Sequence, residues 1–346
     1  MPVNFNFPSA RQAQVKLFFS GSALLRHCML LIMIMFCHIS YGQLQRYSFE
    51  KGMMGSPFKL VLYAPDDSVA NAAAQSAFRR VEKLNEIMSD YRDGSEINLL
   101  SAQSGSGKWI PVSKELFDIL AVSQDISQKT NGAFDATLGP VVQMWRHATR
   151  KGIFPSGQEI DEALSKTGFA KMKLDSSGYK VLLTQKGMRL DIGGLGKGFA
   201  AEEAIKVVKS YGIKSAMMDA GGKIVLADSP PGTNGWKITV SNGSDSLKTM
   251  ELSNTSLATS GPTYRYMEYK GVRYSHIVDP KTGVGLLYHV RTTVISPDGT
   301  VADALATAFS VAGIAKSKKY MKFFPDSKVW LVERQNEQVA DWNMLE

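Results

Sequence analysis

Two side chains near the C-terminal end could share a cation. Asp303 and Thr307 stand four residues apart in the run "ADALAT", so on a helix both project from one face and offer two oxygens to a hard cation such as Mg²⁺. The same spacing also suits an Asp favouring its own helix N-terminus and a Thr bonding back to the preceding turn. A second centre is the stretch "DIGGLGKGFAAE", Asp191 to Glu202, where a glycine cluster carrying Lys197 lies between a strand-like and a helix-like run. Such a loop can bring backbone N–H groups and a helix N-terminus against a negatively charged ligand; a tight turn with a solvated lysine has the same spacing. A third is His276 in "HIVDPKTG", whose turn residues fix its surroundings and make it a candidate general base, with Asp279 as a rival. His147 and His289, the other histidines beyond the leader, have no such setting.

Two familiar nucleotide motifs fail on the glycine cluster. A P-loop requires Ser or Thr after its lysine, where Gly198 stands, and its first glycine, where Asp191 stands. The dinucleotide fingerprint has Phe199 in place of its third glycine. Thiol chemistry is excluded from the mature chain, because Cys28 and Cys37, the only cysteines, fall in an N-terminal leader.

That leader, residues 1–42, holds Arg11, Lys16 and Arg26, no acidic residue, and the apolar run "CMLLIMIMFC". The run is about half the length of a membrane span, and Ser40-Tyr41-Gly42 supplies small residues for cleavage after Gly42. It reads as a secretory signal peptide, with a retained anchor as the alternative and Met29 as an alternative start. Its removal lowers the formal charge of the 346-residue chain from +8 to +5. The remaining basic residues are scattered, with "KSKK" at Lys316 the densest group, so nucleic-acid binding is not expected.

The elements that must position these residues alternate irregularly. "PFKLVLYA" is predicted as a strand, "VANAAAQSAFRRVEKLNEIMSDY" as an amphipathic helix ending near Tyr91, and "RDGSEINLLSAQSGSGKW" as a loop. "SKELFDILAVSQDISQKTNG" reads as a helix capped by Ser113 and stopped by Gly132. Lys173 to Ile192 is predicted to form a β-hairpin turning at "DSSG", its second strand delivering Asp191 to the glycine loop and a helix from Phe199 following. Strand-like runs resume at "SAMMDAGG", "WKITVS", "KTMELSNTSLATSG", "VRYSHIVDP" and "VRTTVISP", ahead of the helix "ADALATAFSVAGI"; "ADSPPGTNG" is a surface loop. Adjacent strands mixed with helices indicate an α+β fold.

Taken in order, "NGAFDATLGP", "LDIGGLGKGFAAE", "ATSGPTYRY", "HIVDPKTG" and "ADALAT" resemble the ApbE family of FAD:protein FMN transferases, from about Met54 to Gly313. The resemblance implies mixed and antiparallel sheets flanked by helices, with an FAD cleft between two lobes. It implies FAD contacts from Met54, Tyr91 (stacking on the isoalloxazine), Ala133, Phe134, Asp135, Asp191, Lys197 and Val278. It implies a Mg²⁺ held by Asp303, Thr307 and the Gly194 backbone oxygen, with His276 and Asp303 as the catalytic residues. The activity implied moves FMN from FAD to a Thr or Ser hydroxyl of an exported flavoprotein and releases AMP, in the periplasm or cell envelope and close to the inner membrane. An FAD pyrophosphatase and a non-catalytic periplasmic flavin-binding protein are the alternatives. Two positions depart from the family pattern: Pro262 and Thr263 follow "TSG", and Gly285 stands where the family usually has proline.

Overall fold

The computed structural model describes residues 43–241, 247–261, 266–335 and 338–345. The predicted signal peptide, residues 1–42, and the departures at Pro262 and Thr263 lie outside the described residues.

The main sheet is built from strands whose central members, such as "KLVLYA" and "KVWLVERQ", carry runs of buried residues because both sheet faces are covered. β1 (Gln45–Met53) and β2 (Ser56–Ala64) form a hairpin, and the sheet continues through β6 (Ala216–Ala220), β7 (Lys223–Leu226), β10 (Thr255–Ser260), β13 (His289–Ser296), β14 (Lys328–Gln335) and β15 (Gln338–Asn343). Every neighbouring pair is antiparallel. Among the described residues there are also a three-stranded sheet of β3 (Ile110–Pro111), β4 (Met172–Asp175) and β5 (Lys180–Leu183), a hairpin of β8 (Trp236–Ser241) and β9 (Leu247–Leu252), and a hairpin of β11 (Tyr266–Tyr269) and β12 (Val272–Ser275).

Helices cover one face of the large sheet. α1 (Asp67–Met88) is capped by Asp66, whose Oδ1 accepts from the Val69 N–H at 2.9 Å, and its small buried residues Ala70, Ala73, Ala74 and Ala77 follow helical spacing. It packs on α6 (Gly196–Ser210), which in turn contacts α7 (Gly299–Tyr320). The opposite face is closed by the β8–β9 hairpin, where Trp236, Ile238 and Val240 cluster with Val61, Leu226, Leu257, Trp330 and Val332. A smaller apolar cluster joins α4 (Gly139–Lys151) and α5 (Gly157–Ser165) to the β11–β12 hairpin through Val141, Trp145, Ala163 and Met267. α2 (Glu96–Ala102) and α3 (Lys114–Lys129) complete the set, and no helix among the described residues is long and apolar enough to cross a membrane.

Several expected boundaries are corrected. α1 stops at Met88 because Ser89 turns to an extended backbone, which sends Asp90 and Tyr91 into a loop. The expected loop 92–109 contains α2, capped by Ser95. The hairpin is shorter than expected: β5 ends at Leu183, so no strand delivers Asp191. That residue is held in irregular chain by its N–H bond to the Ala136 carbonyl at 2.8 Å. α6 and α7 each begin three residues earlier than expected, so Lys197 lies within the first turn of α6 and Asp303 one turn inside α7, whose cap is Asp298. "KTMELSNTSLATSG" divides at Asn254, with a left-handed φ of 49°, into strands belonging to different sheets.

Candidate active site

A cleft of about 1030 Å³ opens between the helix-covered sheet and the smaller aromatic cluster. It is at the upper end of small-molecule sites, large enough for a dinucleotide. The residues to which the sequence assigned flavin, metal or catalytic roles line it, the rival base Asp279 excepted: Met54, Tyr91, Ala133, Phe134, Asp135, Asp191, Gly194, Lys197, His276, Val278, Asp303 and Thr307.

Close packing accounts for the glycine cluster. A Cβ on Gly198 would lie 2.1 Å from the Gly299 carbonyl oxygen and 2.8 Å from the Asp303 Cβ, so only glycine lets α6 meet α7 here. A Cβ on Gly194 would lie 2.9 Å from the Phe134 ring and 3.2 Å from the Thr307 hydroxyl. The cluster therefore locks three separated segments together. The Gly198 N–H donates to Asp303 Oδ2 at 3.0 Å.

Asp303 is 1% exposed and Lys223 9%. Its Oδ1 lies 3.4 Å from Lys223 Nζ, which also donates to the Thr259 carbonyl. The Thr307 hydroxyl donates over 3.2 Å to the Gly194 carbonyl and 3.3 Å to the Asp303 carbonyl, so the back-bonding anticipated for Thr307 is present alongside a contact to the glycine loop. These are hard oxygen donors of the kind Mg²⁺ takes. Among the described residues no group of three acidic, His or Cys side chains could hold a metal ion.

Across the cleft, Arg146 bridges two acids. Its Nη2 lies 3.0 Å from Asp191 Oδ2, Nη1 pairs with Asp90 Oδ2, and its guanidinium lies 3.9 Å from the centre of the Tyr91 ring. Tyr91 is 70% exposed. Burial, and after it the neighbouring Asp90, push the Asp191 carboxyl up, against the pull of Arg146 and the Gly193 N–H. Asp135 is also pushed up by burial, although Thr137 and the Phe169 N–H bond both of its oxygens, so its carboxylate is committed to holding the local chain. Met54 sits in the β1–β2 turn with φ 48°, followed by Gly55 at 71°, a left-handed pair suited to a two-residue hairpin.

His276 follows β12 between buried Ser275 and Ile277, with its own side chain exposed to the cleft. The segment is fixed by main-chain bonds between Ser275 N–H and Leu286, and between Leu286 N–H and Ile277. Gly285 belongs to this arrangement, since a Cβ there would lie 2.3 Å from the Ser275 carbonyl oxygen. Asp279 is outside the cleft lining, and its carboxylate accepts from the Lys281 N–H at 2.8 Å.

Residues 54–330 match the model of the ApbE family, four-fifths of the sequence. The chain belongs to the ApbE family. Among curated relatives, an FAD:protein FMN transferase of Treponema pallidum is 28% identical over 303 residues, covering 82% of this chain and 83% of that one. One from Klebsiella pneumoniae is 27% identical, covering 78% and 84%. The crystal structure of the ApbE protein of Thermotoga maritima is 26% identical and superposes with a TM-score of 0.77 over 86% of this chain and 97% of that one.

Set beside the family motifs, the cleft holds residues that the sequence reading passed over. Arg146 and Lys223 are the main ones, and Asp90 and Asn85 also line it. Arg146 belongs to a helix whose amphipathic period was available in "GPVVQMWRHATRK". Lys223 opens β7 in "KIVL", where a lysine reads as a solvated strand end; only the three-dimensional pairing with Asp303 reveals it.

Proposed function

We propose that this chain is an exported, Mg²⁺-dependent FAD:protein FMN transferase, which moves FMN onto a Thr or Ser hydroxyl of an exported flavoprotein and releases AMP. The observation that carries the reading is the convergence of five separated motifs of a flavin-transferase family on one dinucleotide-sized cleft. Tyr91, Met54, Phe134 and Val278, with the chain at Ala133 and Asp135, form the flavin side, and Asp191 and Lys197 contact FAD from the glycine loop. Asp303, Thr307 and the Gly194 carbonyl hold Mg²⁺, which when bound neutralises charge on the pyrophosphate.

The acceptor hydroxyl oxygen forms a bond to the FMN phosphorus as the bond from that phosphorus to the AMP oxygen breaks. His276 takes the hydroxyl proton, and AMP leaves with the electron pair of the broken bond. The chain's work is mainly positioning: two glycine contacts fix Asp303 and Thr307 against the loop, and Lys197 adds positive charge from the first turn of α6. The leader supports export, and acceptors of this kind would place the enzyme beside the inner membrane.

Incubation with FAD and Mg²⁺, with and without a Thr-bearing acceptor peptide, tests the reading. AMP release and a covalently fluorescent peptide are expected together. AMP with free FMN regardless of peptide would identify a pyrophosphatase, and FAD binding without AMP a flavin carrier.

A further inference from the structure

We infer that Lys223 is a direct contact for the FAD pyrophosphate, completing the charge balance around Asp303. The inference rests on the flavin-transferase reading and adds to it a residue outside the family motifs quoted above. An ammonium has three N–H donors. One goes to the Thr259 carbonyl, while Asp303 Oδ1 lies 3.4 Å from Nζ as an ion pair rather than a hydrogen bond, so donor capacity is left on the ammonium for the cleft that the side chain lines.

The support behind Lys223 is rigid. Its strand pairs with β10 at Ala258, the Thr259 N–H bonds the Gly222 carbonyl at 3.1 Å, and the Gly222 N–H bonds Asp219 Oδ1 at 2.7 Å. A lysine nine-tenths buried on such a base cannot swing into solvent, so its cleft-facing donor has a fixed address. Lys223 and Asp303 cancel each other's charge as a buried pair. A divalent cation on Asp303 then keeps its full double charge to face the two negative charges of a pyrophosphate diester. Without Lys223, half of that would be cancelled by the carboxylate. A charged donor contacting a phosphate oxygen directly also makes a stronger hydrogen bond than a neutral one.

The experiment compares binding of FAD and of riboflavin, which carries the same ring but no phosphate, by calorimetry in Mg²⁺ for the wild type, K223M, K223Q and K223R. K223M and K223Q are expected to weaken FAD roughly 10- to 100-fold, the weight of one charged hydrogen bond, and to leave riboflavin unchanged; K223R should recover part of the loss. K223Q guards against a variant that fails to fold, since its amide is only one bond shorter and still offers N–H donors to the Thr259 carbonyl. Equal losses for FAD and riboflavin would make Lys223 a scaffold residue, and no loss for either would leave it outside the site; both results overturn the inference. If the wild type binds neither flavin, the flavin reading itself fails and takes this inference with it. If the wild type binds both flavins and the Lys223 variants either bind both as the wild type does or lose both equally, the inference alone fails.

Discussion

Replacing Gly198 by alanine should both destabilise the protein and misplace its reacting groups. The new Cβ would lie 2.1 Å from the Gly299 carbonyl oxygen and 2.8 Å from the Asp303 Cβ. No rotamer change relieves the first contact, because it is made by backbone, so α6 and α7 must separate by about 1 Å to restore van der Waals distance. Overpacking of this kind costs about 1–3 kcal/mol, which for a body of this size lowers the melting temperature by roughly 2–6 °C. The same shift moves Asp303 away from the Gly198 N–H at 3.0 Å and changes the approach of Thr307 to Gly194, and a misplacement of about 1 Å can slow chemistry on the order of 10²-fold. The assay pairs calorimetric melting with AMP release at saturating FAD. Gly194→Ala is the comparison, since its closest contact is the movable Phe134 ring at 2.9 Å, and it should cost less on both counts. A Gly198→Ala protein that melts and turns over like the wild type would refute the packing argument.

Asp303→Ala should abolish AMP release while weakening flavin binding far less, because the flavin side of the cleft is untouched; unchanged AMP release at low Mg²⁺ contradicts the metal assignment. Thr307→Val should act in the same direction with a smaller effect, measured as the Mg²⁺ concentration giving half-maximal rate. His276→Asn should keep FAD and Mg²⁺ affinity and lose roughly 10²–10⁴-fold in single-turnover transfer, with the acid limb of the rate profile removed; near wild-type transfer with that limb intact assigns the base elsewhere. Burial, then Arg334 and Arg291, holds His289 below the usual imidazole range. The folded chain therefore prefers it neutral, so its contribution is present above about pH 6.5 and is lost as pH falls. His289→Gln should flatten the melting temperature between about pH 6.5 and 5, and an unchanged slope would exclude it.

The sequence carried the site further than it carried the elements. Motif residues such as Asp303, Thr307 and His276 could be named because their types and spacing speak of chemistry, and all of them reach the cleft. Boundaries failed where tertiary contacts override local pattern. The helical alternation of α1 runs on to Tyr91 in the sequence, yet Ser89 turns away and frees Asp90 and Tyr91 to meet Arg146. Asp191 looked like a strand residue because "MRLDI" alternates, but its backbone is tied to Ala136 instead. The glycine spacing suggests close approach to an anion; the additional packing of Gly194 on Phe134 and of Gly198 on Gly299 has no local signal, because it depends on segments more than fifty residues away. Lys223 was invisible for the same reason, its partner Asp303 being remote in sequence.

The measurement that tests the central claim most directly is mass spectrometry of a Thr-bearing acceptor protein after incubation with the purified enzyme, FAD and Mg²⁺, with AMP quantified in the same reaction. The account predicts one FMN joined through a phosphodiester to the acceptor hydroxyl for each AMP released, and neither product from Asp303→Ala. An acceptor that stays unmodified while bound FAD is recovered intact, or while AMP and free FMN accumulate, would contradict it.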